Sequence, residues 1–522
     1  MTAVVEMLAE GQPRRARLAG LRNVPPSWYP TAFALAGSIA FLLVRPPVGD
    51  LWAARARQSA VTNGVGLTYW FSWFGGGSAP GAYSVLTPFF SALLGAAVLG
   101  ALATVAITPL CWRLLQGTHC PLAATWAATV GAGFSLWSGR VPFAVGTATS
   151  IAALIAVRDR RRAPAVICTV LTVLVSPVTG AFIALGLSGS LLFDRSHRVI
   201  SAVTILTAAI SLGVVAVAFG TPGPEGFSAN QARAAALALL ALLLARPPKY
   251  LASVILLSLA ACPVLLTVPN GMGSNFQRFV WIWLPVAVIA TAGRRLATAV
   301  LASMLAVCSG ALGTLNDVAI ALGPMASEST YAQLATELDT ISTLTTYRVE
   351  AVSDGTHTAA YALLEHAMLA RGYESQTDNA LNAVLMSPTN LTAVTFRIWL
   401  DNNAVGYVAI AKTSRHPNPE YTLVSTGHLP YLRQTWSNPN WTLFRVTNPT
   451  PIVPAWASIR DADQSNMTID VSHAGTLPLR VRWSKFLTVE GPGDTTGAVL
   501  SEDGYGWTTL TAPLPGQYVL HG

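Results

Sequence analysis

Charge is scarce in this 522-residue chain: Asp, Glu, Lys and Arg together make up 11% of it, against 52% hydrophobic residues. Soluble domains carry roughly 25% charged residues, so the composition excludes an ordinary soluble protein and indicates an integral membrane protein. Lysine is nearly absent, occurring only at Lys249, Lys412 and Lys485, and the net charge of +8 therefore rests on arginine. Those arginines fall between hydrophobic stretches and form no dense basic stripe, so membrane topology explains them and nucleic acid is not an expected partner. The five cysteines, Cys111, Cys120, Cys168, Cys262 and Cys308, lie in or beside apolar runs without metal-ligand spacing and read as small apolar residues. His366 follows Glu365, but no second histidine stands at ligand spacing from it, so zinc is not expected. Gly75, Gly76 and Gly77 lack a following Lys-Ser or Lys-Thr, and Gly-x-Ser-x-Gly is missing, which argues against ATP use and against a serine hydrolase.

What is present is a succession of apolar runs. A span needs about 20 predominantly apolar residues, and on that measure about eleven are expected, at 28–46, 85–110, 121–138, 141–157, 164–176, 180–193, 199–219, 232–246, 250–268, 279–293 and 297–315. Arg14, Arg15, Arg17 and Arg22 precede the first run as they would in a signal peptide. That run lacks a small-residue cleavage site and leads into further spans, so it is expected to stay as an anchor. Arg113, Arg158 to Arg162, Arg195 with Arg198, Arg246 with Lys249, and Arg294 with Arg295 fall on alternate loops, which puts the N-terminus in the cytoplasm of a plasma-membrane protein. The expected organisation is a cytoplasmic segment 1–27, a transmembrane domain 28–315, an extracytoplasmic α/β domain 316–450, and an extracytoplasmic β-sandwich 451–522. In the α/β domain, 327–344 and 359–370 read as helices, and 347–352, 404–411 and 441–446 as strands. In the sandwich, strands are expected at 467–471, 477–483, 486–490, 506–511 and 517–520.

Candidate chemistry concentrates in the loop 49–84. Asp50 is the only acid between Glu10 and Asp159, and it stands directly beyond the first apolar run. A lone carboxylate kept at a membrane boundary is a functional candidate; the alternative is an N-cap for a helix starting at Leu51. The same loop holds Arg55 and Arg57, the aromatic cluster Tyr69, Trp70, Phe71, Trp73 and Phe74, and the glycine run, suggesting a reaction site with a mobile aromatic lid. The aromatics also suit an interfacial belt. Arg45, Arg55, Arg57, Arg140, Arg233 and Arg278 lie on the outer side against the topological trend, where they either bind phosphate bidentately or snorkel to headgroups. Ser176-Pro177 marks a kink or a re-entrant turn.

This layout resembles the C-type (GT-C-like) integral membrane glycosyltransferases, on Gly49-Asp50-Leu51, Tyr83-Ser84-Val85-Leu86-Thr87-Pro88, Ser138-Gly139-Arg140 with Pro142-Phe143, Ser176-Pro177, and Gly273-Ser274-Asn275-Phe276-Gln277-Arg278-Phe279. More narrowly it resembles an actinobacterial multispan membrane protein family of mostly unassigned activity. That likeness runs into the tail through Tyr347-Arg348-Val349-Glu350, Ala370-Arg371-Gly372-Tyr373-Glu374 and Leu477-Pro478-Leu479-Arg480-Val481-Arg482. The resemblance implies a polytopic α-helical membrane protein that moves a sugar from a polyprenyl-phosphate donor to an envelope glycan or lipid acceptor, in contact with membrane lipids. Asp50 would be the general base, Arg278 with Arg140, and Arg55 or Arg57, would hold the donor phosphate, and Tyr69, Trp70 and Trp73 would stack on substrate. Many such enzymes carry a second acid close to the first; here Leu51 follows Asp50, and Glu225 is the candidate second acid. One or two carboxylates make a thin oxygen shell, so neither a metal nor another cofactor is expected. The rival reading is a non-enzymatic transporter or scaffold for envelope lipids or glycans. Nearly uncharged span interiors and the lack of a fixed-period repeat weigh against a transporter.

Overall fold

The computed structural model describes residues 26–76, 80–220, 223–494 and 497–522. Arg14, Arg15, Arg17 and Arg22, and Gly77 at the end of the glycine run, lie outside the described residues. The chain divides into two compact units, one of Met1–Arg45, Ser84–Ala218 and Glu225–Asn316, the other of Pro46–Tyr83, Phe219–Pro224 and Asp317–Gly522.

The first unit is a bundle of apolar helices. Among the described residues five are long and apolar enough to cross a membrane: Ala96–Leu115, Val141–Arg158, Arg198–Phe219, Lys249–Thr267 and Gly293–Ala321. A sixth is reached if Trp28–Val44 and Gly49–Thr62 count as one bent span. Arg162–Val175, Pro177–Phe193 and Ala229–Leu244 are apolar but shorter. Between such helices the hydrophobic effect supplies little drive, and small residues with hydroxyl side chains take over. A Cβ added to Gly131 would stand 2.7 Å from Ile282, and one on Gly189 2.1 Å from the Tyr250 carbonyl. The hydroxyls of Thr108 and Thr129 meet at 3.1 Å, and those of Thr172 and Thr149 at 2.9 Å. The loops carrying Arg113, Arg158 and His197 gather at one end: Arg158 donates to the carbonyls of Arg113 and Leu114, and His197 Nε2 lies 3.3 Å from the Arg158 carbonyl.

Ser176-Pro177 is a true break. The helix Arg162–Val175 ends there and Pro177–Phe193 begins, with Ser176 extended at φ −161°. Proline has no amide to continue the ladder, so nearby carbonyls lose their intrahelical donors. The segment 84–87 supplies replacements. Ser84 Oγ and Thr87 Oγ1 donate to the Val175 carbonyl at 2.8 and 2.9 Å, while the amides of Val85 and Leu86 donate to Leu174 at 2.9 and 3.0 Å. Gly146 lets the break pack closely, because a Cβ there would lie 2.3 Å from Thr179 Oγ1.

The second unit contains an α/β sheet and a two-sheet β module. Strands β1 (Arg348–Ala351), β2 (Val405–Ala411), β3 (Leu432–Ser437) and β4 (Trp441–Val446) are arranged β1-β2-β4-β3, with β1 and β2 parallel and the other pairs antiparallel. Every residue of β2 is buried, as a central strand covered on both faces requires. The β module joins β5 (Ala457–Ala462), β6 (Asn466–Val471), β11 (Gly516–His521) and β8 (Thr488–Glu490) in one sheet, and β7 (Gly475–Arg482), β10 (Trp507–Ala512) and β9 (Val499–Glu502) in the other. Leu477, Leu479, Val481 and Leu510 from one sheet and Met467, Ile469, Val471, Tyr518 and Leu520 from the other share one core.

Two helices differ from expectation. The segment 327–344 forms an α-helix only over Ala332–Asp339, preceded by a 3₁₀ turn at Glu328–Thr330. The segment 359–370 is helical only over Ala359–Ala362, because the backbone further on is recruited by neighbours. Leu369 donates to the Ser72 carbonyl at 2.9 Å, Ala370 donates to Val349, and Val349 donates to Met368, making a short parallel bridge onto β1.

The aromatic stretch of the loop 49–84 is core. Tyr69 and Phe71 enter the β-module core, whereas Trp70, Trp73 and Phe74 enter the core of the α/β sheet. The Phe71 amide donates to Gln464 at 2.9 Å, and Tyr69 Oη donates to the Arg482 carbonyl at 3.0 Å. Gly76, at φ +94°, allows this: a Cβ there would stand 1.5 Å from Tyr69 Oη. The stretch joins the two modules of its unit and is not a mobile lid.

Candidate active site

Asp50 lies in the first turn of the helix Gly49–Thr62, where a negative side chain suits the positive end of the helix dipole. It is not the cap. The helix begins at Gly49, the cap position is Val48, and no side chain bonds there. The Asp50 Oδ1 atom instead accepts a hydrogen bond of 2.7 Å from the Tyr373 hydroxyl, 323 residues along the chain. Gly49 makes room for this partner, since a Cβ there would lie 3.3 Å from Tyr373 Oη and 3.5 Å from His357 Cδ2. His357 stacks on Tyr373 with ring centroids 4.2 Å apart. Burial, and then the Asp50 charge, raise the Tyr373 phenol well above its ordinary value, so it stays a neutral donor that orients the carboxylate.

Tyr373 belongs to a run in which each residue has a separate task. Gly372 packs against the face of Trp73, and a Cβ there would lie 2.6 Å from the indole. Glu374 Oε1 accepts from Arg57 Nη2 at 2.8 Å, with both side chains almost wholly buried. Arg57 also donates to the Ala53 carbonyl at 3.2 Å and lies 4.5 Å over the Tyr83 ring. Arg371 anchors the run: Nε and Nη2 grip Asp378 at 2.9 and 2.5 Å, Nη1 reaches Glu420 at 2.7 Å, and Glu350 lies 3.6 Å away. Burial raises Glu350 well above the carboxylate range, with the Glu420 charge adding to it, and Glu420 is raised as well. Of the three acids Glu350 is the one its surroundings most disfavour as an anion, since it is fully buried and lies farther from the guanidinium than Asp378 or Glu420. Arg371 stays charged despite its burial because Asp378, Glu420 and Glu350 surround it.

The expected site residues separate by unit. Asp50, Arg55, Arg57, Tyr69, Trp70 and Trp73 belong to one, and Arg140, Glu225 and Arg278 to the other. Tyr69, Trp70 and Trp73 are 0% exposed, so their rings present no face to a substrate, and the stacking expectation is corrected to a packing role. Arg57, 2% exposed and paired with Glu374, is likewise a buried structural cation and not a phosphate ligand. Arg55 is partly exposed, 4.7 Å over the ring of Trp52, which stacks on Tyr361.

In the helical unit Arg140 occupies the cap position of Val141–Arg158. Phe143, one turn on, lies under the Arg278 guanidinium at 5.3 Å. Arg278 closes a short α turn, Phe276–Arg278, and is followed by a π-helical stretch, Phe279–Trp283, an irregularity frequent at functional sites. The loop ahead of it is tied to Glu225: Ser274 Oγ donates to Glu225 Oε1 at 3.0 Å, and the Glu225 amide donates to Asn270 at 2.8 Å. Gly273, at φ +41°, permits the contact, because a Cβ would lie 2.4 Å from the Glu225 carbonyl. Sequence reading gave Tyr373, Glu374 and Arg371 no chemical task, although Ala370-Arg371-Gly372-Tyr373-Glu374 was one of the motifs that carried the family likeness.

No family model and no curated protein matches the chain. Two solved structures of the arabinofuranosyltransferase AftD from mycobacteria, the second of a mutant, are similar to it at 12% and 13% identity, with TM-scores of 0.42 and 0.43. They cover 97% and 95% of this chain, which spans 58% and 59% of their length.

Proposed function

We propose that the chain is an integral membrane glycosyltransferase that moves a sugar from a polyprenyl-phosphate donor to an envelope glycan or lipid acceptor on the outer face of the plasma membrane. In this reading the helical unit makes about eleven passes, the N-terminus is cytoplasmic, and residues from about 316 onward are extracytoplasmic. Asp50 takes the proton of the acceptor hydroxyl, Arg278 with Arg140 holds the donor phosphate, Arg55 adds positive charge, and Glu225 is the second acid. The observation that carries the reading is the Asp50 carboxylate held by the Tyr373 phenol at 2.7 Å, a base oriented by a donor from a distant segment. Tyr373 is a positioning residue. The apolar bundle, with five helices among the described residues fit to cross a membrane, supplies the setting in which a lipid-linked donor would be met.

The test is release of polyprenyl phosphate from radiolabelled polyprenyl-phosphate sugars by the purified full chain. A base contributes ~10²–10⁴-fold to rate, so Asp50→Asn should lose about that much without loss of folding. Tyr373→Phe should keep the base and shift the pH–rate profile, which a purely structural role would leave in place. Absence of turnover by wild type over a broad panel of pentose and hexose donors with glycan and lipid acceptors would overturn the proposal in favour of a transporter or scaffold.

A further inference from the structure

The helix Leu296–Ala321 carries no charged residue before Asp317. Its uncharged stretch, 296–316, covers about 31 Å at 1.5 Å per residue, which matches a hydrocarbon core of about 30 Å. The remaining turn, 317–321, therefore stands among the headgroups, which bring a bilayer to about 40–45 Å. Leu312, Leu315 and Leu322 are exposed, as side chains facing lipid are. From Asp317 onward the chain belongs to the second unit. Beside this exit lies the loop 412–418, which follows β2. A Cβ on Gly323 would stand 3.8 Å from Arg415 Cδ, and one on Gly355 3.3 Å from His416 Cβ. The segment 355–358 is itself tied to the exit, since Thr356 Oγ1 donates to the Met325 carbonyl at 3.4 Å and Thr358 Oγ1 to that of Ala326 at 2.9 Å. The loop is held at both ends: the Lys412 amide donates to the Asn440 carbonyl at 2.8 Å, and Asn418 Oδ1 accepts from the Tyr421 amide at 2.7 Å, capping the helix Pro419–Thr426. Lys412 and Arg415 are both exposed, and among the described residues neither is ion-paired with a carboxylate.

We infer that the loop 412–418 docks on the phosphates of acidic membrane lipids, with Lys412 and Arg415 as its contacts. The guanidinium suits a phosphate bidentately, and the ammonium adds a compact charge on a long stem. Acidic lipids attract basic groups held close to a bilayer surface, and the attraction fades within a Debye length. Arg415 meets that condition because it packs two residues past the end of a helix long and apolar enough to span the bilayer. A loop fixed at both ends loses little freedom on contact. Lipid phosphate is the anion that this place always meets, whereas a soluble polyanion would have to be brought there. The docking does not rest on the transferase reading, and an inactive chain would show it equally.

The experiment is photo-crosslinking of the full chain in phosphatidylcholine nanodiscs, with a trace of phosphatidylglycerol or phosphatidylcholine carrying a diazirine in its headgroup, and the labelled peptides mapped by mass spectrometry. The phosphatidylglycerol probe should label 412–418 several-fold more than the phosphatidylcholine probe. Lys412→Gln combined with Arg415→Gln should cut that labelling about tenfold or more, since each cation near an acidic surface strengthens the attraction about fivefold. Labelling around Arg160 to Arg162 should not change in the double variant, and neither should the melting temperature, because both replaced side chains are exposed and without an ion-pair partner. Raising the salt from about 0.01 M to about 1 M shortens screening from about 30 Å to 3 Å and should abolish the preference. Equal labelling by the two probes, labelling that survives the double variant, or displacement of the lipid probe by millimolar inorganic phosphate, which would make this a site for free phosphate, would each overturn the inference.

Discussion

Removing the Arg371 guanidinium is the most severe single change the second unit should register. Arg371 is the cation of a buried group whose acids are Asp378, Glu420 and Glu350, and Glu350 and Glu420 are 0% exposed. In Arg371→Met the hydrocarbon volume is kept, but Asp378 and Glu420 lose the cation they bond to at 2.5 and 2.7 Å. Removing one partner of a buried pair costs about 3–5 kcal/mol. At roughly 2–4 °C per kcal/mol for a unit of this size, the melting temperature should fall on the order of 10 °C. Glu350→Gln tests the other half of the argument. Burial pushes the Glu350 carboxyl well above its ordinary value and so toward its neutral form, so an amide of nearly the same shape should cost no more than roughly 0.5 kcal/mol, the range of ordinary surface changes. The assay is thermal unfolding of the purified full chain together with amide hydrogen exchange in β2, which packs beside the cluster. If Arg371→Met melted within a degree or two of wild type, or if Glu350→Gln cost as much as Arg371→Met, the assignment of charge within the cluster would be wrong.

The same cluster sets a pH dependence. The Glu350 pKa is raised in the folded state, so its contribution to stability is fully present below the unfolded value near 4.5 and is lost as pH rises through the folded value. A pH series should therefore show wild type losing stability on the alkaline side and Glu350→Gln losing less. Gly76→Ala forces a methyl into the Tyr69 phenol and a side chain into φ +94°; it should cost at least ~1–3 kcal/mol, read by thermal unfolding. Ser84→Ala combined with Thr87→Val strips two donors from the Val175 carbonyl at the helix break. Each bond is worth about 1 kcal/mol, and the loss should appear as faster hydrogen exchange in the first turn of Pro177–Phe193.

Much of the fold was legible because hydropathy and alternation are local signals. The strand expected over 441–446 occurs as β4, Trp441–Val446, and that expected over 404–411 occurs as β2, Val405–Ala411, one residue shorter. The apolar runs became helices for the same reason. Three strands escaped notice: β3, whose LRQTWS is mostly exposed and polar, β5, whose RDA breaks the alternation at a bulge, and β9, a short exposed edge. An edge strand facing water carries no hydrophobic period to read. The overextended helix at 359–370 failed differently. Its composition suits a helix, but the backbones of Val349 and Ser72 compete for 368–370, and tertiary pairing overrides propensity.

The site was legible only in part, and the reason is separation along the chain. Asp50 could be singled out because it is alone in an acid-poor region, but its donor Tyr373 lies 323 residues away and its neighbour Arg57 is neutralised by Glu374, 317 residues away. Spacing carries no trace of such pairs. The aromatic stretch was misread for a related reason. Tyr69 and Phe71 turn into one core and Trp70 into another, an alternation that suits an extended segment buried on both sides as well as a membrane belt or a sugar platform. Once buried, those rings anchor the stretch 69–74 within its own unit, and Trp73 packs on Gly372, the residue next to Tyr373. The orientation of the carboxylate thus rests on packing set by hydrophobic residues that sequence reading had assigned to the substrate. Trp73→Ala should accordingly impair whatever Asp50 does while leaving every charged group of the site in place. If turnover survived that truncation unchanged in a folded protein, the aromatic stretch would have no part in holding Tyr373 against Asp50.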